Sequence, residues 1–422
     1  MKRVNWLAVA VGVLVVAHVL VFTQLFVSGG FDVELYYGYA SNMQSGLVPY
    51  RDFSVEYPPG ALLVFLLPKL FVSSPEANGT AFTLEMLLLD LACLFMVFLL
   101  ARRLRLSPLS SVIIYSLAVA SVSSISVQRF DFASAAVSLA AVLAYSRGKY
   151  KTAWALVAIG TLVKLYPVVL APLFLIYQWR HQRWRNLIAP VLVFGAVVIA
   201  FALPFWLLSP EGFTHAFALQ GGRNLQIESS YASVLFMLYS VGRAQLSVFQ
   251  GPVSWDLDSP YSAGFAQVAL LVMALAAVAV CISYYLPYRN LTRHEAGAPP
   301  APALGRLINY SLLIIIMLLL TSKVVSTQFM VWLLPFVPLV TGRARNAVWL
   351  SFIAVGWLTW YTYPTHYWDL RNLNILPMDV LFLRNVLLGL TALWLWRLRD
   401  PEPEAPLVSE PTLQDQTAAP QG

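Results

Sequence analysis

Uninterrupted apolar runs recur along this chain from Asn5 to Arg397, and several reach the roughly 20 residues that an α-helix needs to cross a bilayer core. In lipid, only helices and closed barrels satisfy every backbone N–H and C=O. Barrel strands alternate in polarity with a period of two, and these runs do not alternate. The sequence therefore predicts an all-α polytopic membrane protein. Composition agrees, since 59% of the 422 residues are hydrophobic and 11% charged, against about 25% charged in a soluble domain.

Twelve spans are predicted, at about 5–27, 79–101, 107–126, 129–146, 151–165, 166–179, 187–208, 263–286, 305–322, 324–341, 347–363 and 380–397. The first is too long for a signal peptide and lacks a small-residue cleavage site, so it reads as an uncleaved span. On this count Lys2/Arg3, Arg102/Arg103/Arg105, Arg147/Lys149/Lys151, Arg180/Arg183/Arg185, Arg289/Arg293/Arg306, Arg343/Arg345 and Arg397/Arg399 share one side, 18 of the 27 Lys and Arg. The positive-inside rule makes that side, and both termini, cytoplasmic. The first outer loop (29–78), a second large one (209–262) and 364–379 then face outward, with 60–72 as an interfacial helix roofing the site. Residues 1–399 read as one transmembrane unit. An Ala/Pro-rich stretch, 293–305, and the acidic tail 400–422 read as disordered cytoplasmic segments.

Cys93 and Cys281 lie in apolar runs with no second ligand type nearby, so neither a disulfide nor a zinc site is expected. A phosphate-cradling glycine loop and an HExxH motif are both missing, and no metal, cofactor or nucleic-acid partner is predicted. Chemistry concentrates instead in Phe31–Gly60, which gathers Asp32, Glu34, Asp52, Glu56, Arg51 and five tyrosines, among them Tyr36 and Tyr57. Asp32 follows the first span, where a carboxylate can take a proton from a hydroxyl at a wet surface or simply cap a helix. Glu34, Asp52 and Glu56 are rival bases.

The positive-inside pattern does not account for the outer-side cations. Arg129, Lys164, Arg223 and Lys323 suit a lipid-linked phosphate, Arg as a planar fork and Lys as a point charge. The plainer readings are interfacial snorkelling, or for Arg129 a pair with Asp131. Arg223–Ser230, containing Gln226 and Glu228, fits sugar hydroxyls or a solvated turn. Trp332, Trp357, Trp360, Trp368, Tyr361, Tyr363 and Tyr367 read mostly as an interfacial aromatic belt, with His366 among them.

Gly46-x-x-Pro49-Tyr50-x-Asp52 and Glu56-Tyr57-Pro58-Pro59-Gly60 are followed by Arg129-Phe130-Asp131, Lys164-x-Tyr166-Pro167, Gln226-x-Glu228-Ser229 and Ser326-x-Gln328-x-x-x-Trp332-Leu333-Leu334-Pro335. In this order the pieces resemble the polyprenol-phosphate-dependent glycosyltransferases of the GT-C fold, above all the bacterial mannosyltransferase-like glycosyltransferase family 87. The resemblance implies inverting, metal-independent transfer of a sugar, mannose first, from a polyprenyl-phosphate donor to a lipid or glycan acceptor, on the periplasmic side of a bacterial inner membrane. It implies Asp32 as the base, with the second acid of related enzymes displaced to Glu34. It also implies Arg129, Lys164, Arg223 and Lys323 at the donor phosphate, and Tyr36, Arg51, Asp52, Tyr57, Asp131, Tyr166, Gln226, Glu228 and Gln328 around the substrates. A transporter or flippase of lipid-linked sugars would want access to both faces and an inverted repeat, neither of which is evident. A surface-glycan polymerase or ligase using a lipid-diphosphate donor is the other alternative.

Overall fold

The computed structural model of this chain describes residues 6–24, 31–182, 184–251, 253–288 and 298–397. Within them the helices are α1 Trp6–Gln24, α2 Phe31–Gln44, α3 Ala61–Lys69, α4 Pro75–Arg103, α5 Pro108–Ser121, α6 Ser123–Ser126, α7 Asp131–Ser146, α8 Tyr150–Val163, α9 Ala171–His181, α10 Arg185–Leu208, α11 Pro210–Gly221, α12 Ser230–Ser240, α13 Ser262–Tyr285, α14 Ala301–Thr321, α15 Arg345–Trp360, α16 Tyr367–Arg371 and α17 Ile375–Arg397. Sheet is confined, among the described residues, to one antiparallel hairpin, β1 Ser247–Gln250 and β2 Trp255–Asp258, with Ser247 opposite Asp258.

Five of the helices, α4, α10, α13, α14 and α17, are long and apolar enough to cross a membrane by length and composition. Their surroundings differ. α14 is apolar along Leu312–Leu320 and buried on nearly all faces, with Leu307, Ile308, Leu312, Leu313, Ile315 and Ile316 inaccessible, so it forms the centre of the bundle. α10 and α13 instead expose Leu192, Leu207, Leu270 and Leu271 by more than 60% each. So much exposed apolar surface is stable only against lipid.

Three helices start on a Ser-Pro pair. The hydroxyls of Ser74, Ser107 and Ser209 accept the N–H of Ala77, Ser110 and Gly212, while the proline fills a first-turn position whose N–H would have no partner. The predicted span 166–179 begins as a 3-10 turn, Tyr166–Leu170, before α9. The predicted span 324–341 is not an α-helix: it winds through 3-10 turns at Thr327–Trp332 and Val337–Leu339. Pro335 and Pro338 each remove an amide donor and crowd the preceding turn, and the segment from Met330 to Val340 is buried in protein, where lipid never meets its irregular backbone. Within 293–305, residues 301–305 are helical, the first turn of α14, while 293–297 and the tail 400–422 lie outside the described residues.

Two contacts seat the Phe31–Gly60 stretch on the bundle. The Gly60 amide donates to the Leu162 carbonyl at 2.8 Å, and the Tyr50 carbonyl accepts from Ser209 Oγ at 3.2 Å. A Cβ at position 60 would lie 2.7 Å from the Leu162 carbonyl carbon. Gly60→Ala is therefore expected to cost about 1–3 kcal/mol, seen as a lower thermal unfolding midpoint in detergent; an unchanged midpoint would show that this contact is loose. Just after Gly60, α3 packs on α2 and α4, and Phe65 sits among Tyr36, Tyr57 and Phe130. It does not roof the cavity described below; the hairpin does.

For topology, Ser45→Cys and Pro260→Cys, both exposed positions, are expected to react with a membrane-impermeant thiol reagent from the outer side alone. Labelling from the cytoplasmic side alone would invert the sequence-based orientation.

Candidate active site

The connections expected on the outer side converge on one cavity of about 620 Å³. Beneath it lies Asp131, the first residue of α7 and wholly buried. Its Oδ1 accepts from Lys164 Nζ at 2.6 Å and from Trp332 Nε1 at 2.6 Å. Lys164 is where α8 stops: its backbone is extended, and the 3-10 turn that follows carries Pro167. The ammonium group, so released from the helix, lies 4.6 Å from the Phe130 ring, 5.1 Å from Phe329 and 5.5 Å from Trp332. Trp332 in turn stacks on Tyr166 at 4.2 Å and on Phe329 at 4.1 Å. One carboxylate and three aromatic faces offset part of what that ammonium loses by leaving water.

Asp32 and Arg129 face each other across one wall and form an ion pair, with Arg129 Nη2 also donating to Tyr363 Oη at 3.3 Å. Asp32 is inside the first turn of α2 rather than the residue before it. Arg129 thus pairs with Asp32, and Lys164 takes Asp131.

The opposite wall is an extended segment. Leu225 and Ile227 are buried in a second apolar core with Leu235, Phe236 and Leu381, while Gln226 and Glu228, one residue out of phase, face the cavity. Gln226 bridges to Asp256 of β2, and its amide donates to the Lys323 carbonyl at 3.0 Å. Arg223 reaches Gln220 Oε1 at 3.3 Å and Gln226 Oε1 at 3.5 Å. Gln226 Nε2 donates to Glu228 Oε2 at 3.0 Å. Burial pushes the Glu228 carboxyl up to about 7, against the pull of Arg384 and Arg129. Glu56 also lines the cavity; burial raises its carboxyl and Arg223 opposes that.

Of the residues singled out in the sequence, Asp32, Glu56, Tyr57, Arg129, Lys164, Tyr166, Arg223, Gln226, Glu228 and Gln328 line the cavity. Others do not reach it. Glu34, about 200° round α2 from Asp32, is exposed. Arg51 and Asp52 pair with each other at 2.9 Å, which with the Val48 amide holds Asp52 down to about 2 and closes a surface turn. Tyr36 is sealed in the aromatic cluster, stacked on Phe65 at 4.3 Å. Lys323 Nζ donates to the Gly221 carbonyl at 2.9 Å, outside the cavity lining. Conversely, Trp332, Tyr363 and Tyr367, which read as belt anchors, line it, as do Ser254 and Trp255 of the hairpin. The alternation Leu225-Gln226-Ile227-Glu228 is the signal that separates a strand-like wall from a solvated turn.

Helices that face lipid on the outside and meet in a charged cavity at one end fit a membrane glycosyltransferase of the GT-C type. The family comparison agrees: the model of glycosyltransferase family 87 matches residues 55–321, and the chain belongs to that family. Among solved structures, the crystal structure of ArnT from Cupriavidus metallidurans in the apo state is similar over 93% of this chain and 76% of that one, at 13% identity and a TM-score of 0.49. That likeness is loose, and nothing about the site follows from it. No curated protein matches.

Proposed function

We propose that this glycosyltransferase moves a sugar, mannose foremost, from a polyprenyl-phosphate donor to a lipid or glycan acceptor at the outer face of a bacterial inner membrane, with inversion, and that residues 1–399 form the catalytic unit. The observation that carries this reading is the meeting of Asp32 with Arg129 and Lys164 in one cavity of a lipid-facing bundle. A base and a phosphate clamp are what the transfer needs. Asp32 takes the proton of the acceptor hydroxyl. The acceptor oxygen attacks the anomeric carbon from the face opposite the phosphate, and the bond from that carbon to the phosphate oxygen breaks, its electron pair going to the phosphate. Arg129, Lys164 and Arg223 stabilise the charge that grows there, with little competing water. Arg129 rests on Asp32. An arriving phosphate competes for that guanidinium and frees a carboxylate oxygen for the acceptor.

The test is incubation of the purified full-length protein with polyprenyl-phosphate mannose and candidate acceptors. Expected is one polyprenyl phosphate released per glycosylated product, with the anomeric configuration inverted. Retention overturns the mechanism, and turnover of lipid-diphosphate donors alone moves the protein to the polymerase or ligase class. Movement of a lipid-linked sugar across proteoliposomes, with no donor consumed, makes it a transporter.

A further inference from the structure

Glu228, which lines the cavity, carries a buried carboxylate oxygen without a hydrogen-bond partner. The residue is 2% exposed. Its Oε2 is taken by Gln226 and Oε1 has no hydrogen-bond partner, while the Thr327 backbone amide acts on the carboxylate as a whole. Gln226 is not free to turn and serve both oxygens, because its own carbonyl oxygen faces Arg223 and its backbone is held by Lys323 and Asp256. Glu228 is pinned as well: its carbonyl accepts from Arg384, a wholly buried guanidinium, at 2.7 Å. The acceptor is thus fixed in place with one oxygen unmet. A buried acceptor left so is costly, and a ligand that supplies the donor removes the cost.

The surrounding charges say what kind of donor fits. Arg129 and Arg384 already act on Glu228 electrostatically, so the carboxyl needs no cation from a ligand, and a hydroxyl completes it. A second acid brought to this wall would be repelled by Glu228 in its ionised form, whereas a neutral hydroxyl would not. The phosphate of a lipid donor belongs with Arg129 and Lys164 in the same cavity, so the part presented to Glu228 is the sugar ring. We propose that Glu228 is the sugar-selecting residue of this site, its free Oε1 accepting one ring hydroxyl of a neutral hexose. This rests on the donor reading above.

The experiment pairs the enzyme with donor analogues. Polyprenyl-phosphate mannose and its monodeoxy forms are turned over by the native full-length protein, Glu228→Gln and Glu228→Ala, each checked for a monodisperse peak in gel filtration. For one ring position, loss of the hydroxyl is expected to lower kcat/KM of the native protein about 10²-fold. Glu228→Ala should use the parent and that deoxy donor equally well. Glu228→Gln, which keeps an acceptor oxygen, should fall between. An equal loss for every donor in both variants overturns the proposal and leaves Glu228 as a support for Gln226. Saturation-transfer NMR with methyl mannoside and its deoxy forms, on the same proteins in nanodiscs, scores Glu228 without turnover. If polyprenyl-phosphate sugars are not consumed but the methyl glycoside binds the native protein and loses binding in Glu228→Ala, the donor reading fails and Glu228 stands. Equal signals in both sink the proposal.

Discussion

Asp32→Asn is expected to lower turnover by about 10²–10⁴-fold, the usual contribution of a general base, while donor binding holds. The substitution keeps the shape of the side chain and removes its basicity. It also releases Arg129 from its ion pair, so the cation meant for the phosphate is, if anything, more available, and KM for the donor should not rise. A fall in kcat without a rise in KM is the signature of an interaction made only in the transition state. Glu34→Gln serves as the internal control, since Glu34 is exposed and lines no part of the cavity. Glu56→Gln is the competing experiment. Glu56 lines the cavity, and burial raises its carboxyl above the usual range. A base works only when deprotonated, so a Glu56-driven reaction would lose rate as pH falls through that raised value, and its acidic limb would vanish in Glu56→Gln. If Asp32→Asn transfers sugar at the native rate and Glu56→Gln is dead, the base is Glu56.

Much of this arrangement is legible in the sequence because two strong signals are one-dimensional. Apolar runs and the alternation of cations between loops need no contact information, and together they place Asp32, Arg129, Lys164 and Gln226 on connections of one side. Pairings are another matter. Arg129 stands two residues from Asp131, so sequence proximity suggests that pair, yet Asp131 faces down into the bundle towards Lys164 and Trp332 while Arg129 reaches Asp32. Which face of a helix start a side chain takes is decided by packing, not by spacing. Tyr363 and Trp332 were masked by the same difficulty, since an aromatic near a span end satisfies the belt expectation whether or not its ring looks into a cavity. The segment 324–341 is apolar enough for a span, and only Pro335, between the two 3-10 turns, and Pro338, inside the second, distinguish it.

Lys164 and Arg129 are both expected to serve the donor phosphate, but their substitutions should behave differently. Arg129→Gln removes a partly exposed guanidinium whose partner, Asp32, keeps contact with the open cavity. Folded yield should stay near native, and donor KM should rise about 10–100-fold for the loss of one charge-assisted hydrogen bond. Lys164→Gln leaves Asp131, wholly buried, with Trp332 Nε1 as its remaining donor. Breaking one side of a buried pair costs about 3–5 kcal/mol, so folded yield should drop together with donor use, and the single variant cannot tell support from catalysis. Adding Asp131→Asn separates them, because the uncharged amide needs no counter-ion and its oxygen can still accept from Trp332. The double variant is expected to recover its yield in fluorescence-detected size exclusion and still use the donor poorly. Recovery of both yield and donor KM would make Lys164 a neutraliser of Asp131 alone, and would leave Arg129 and Arg223 to carry the phosphate.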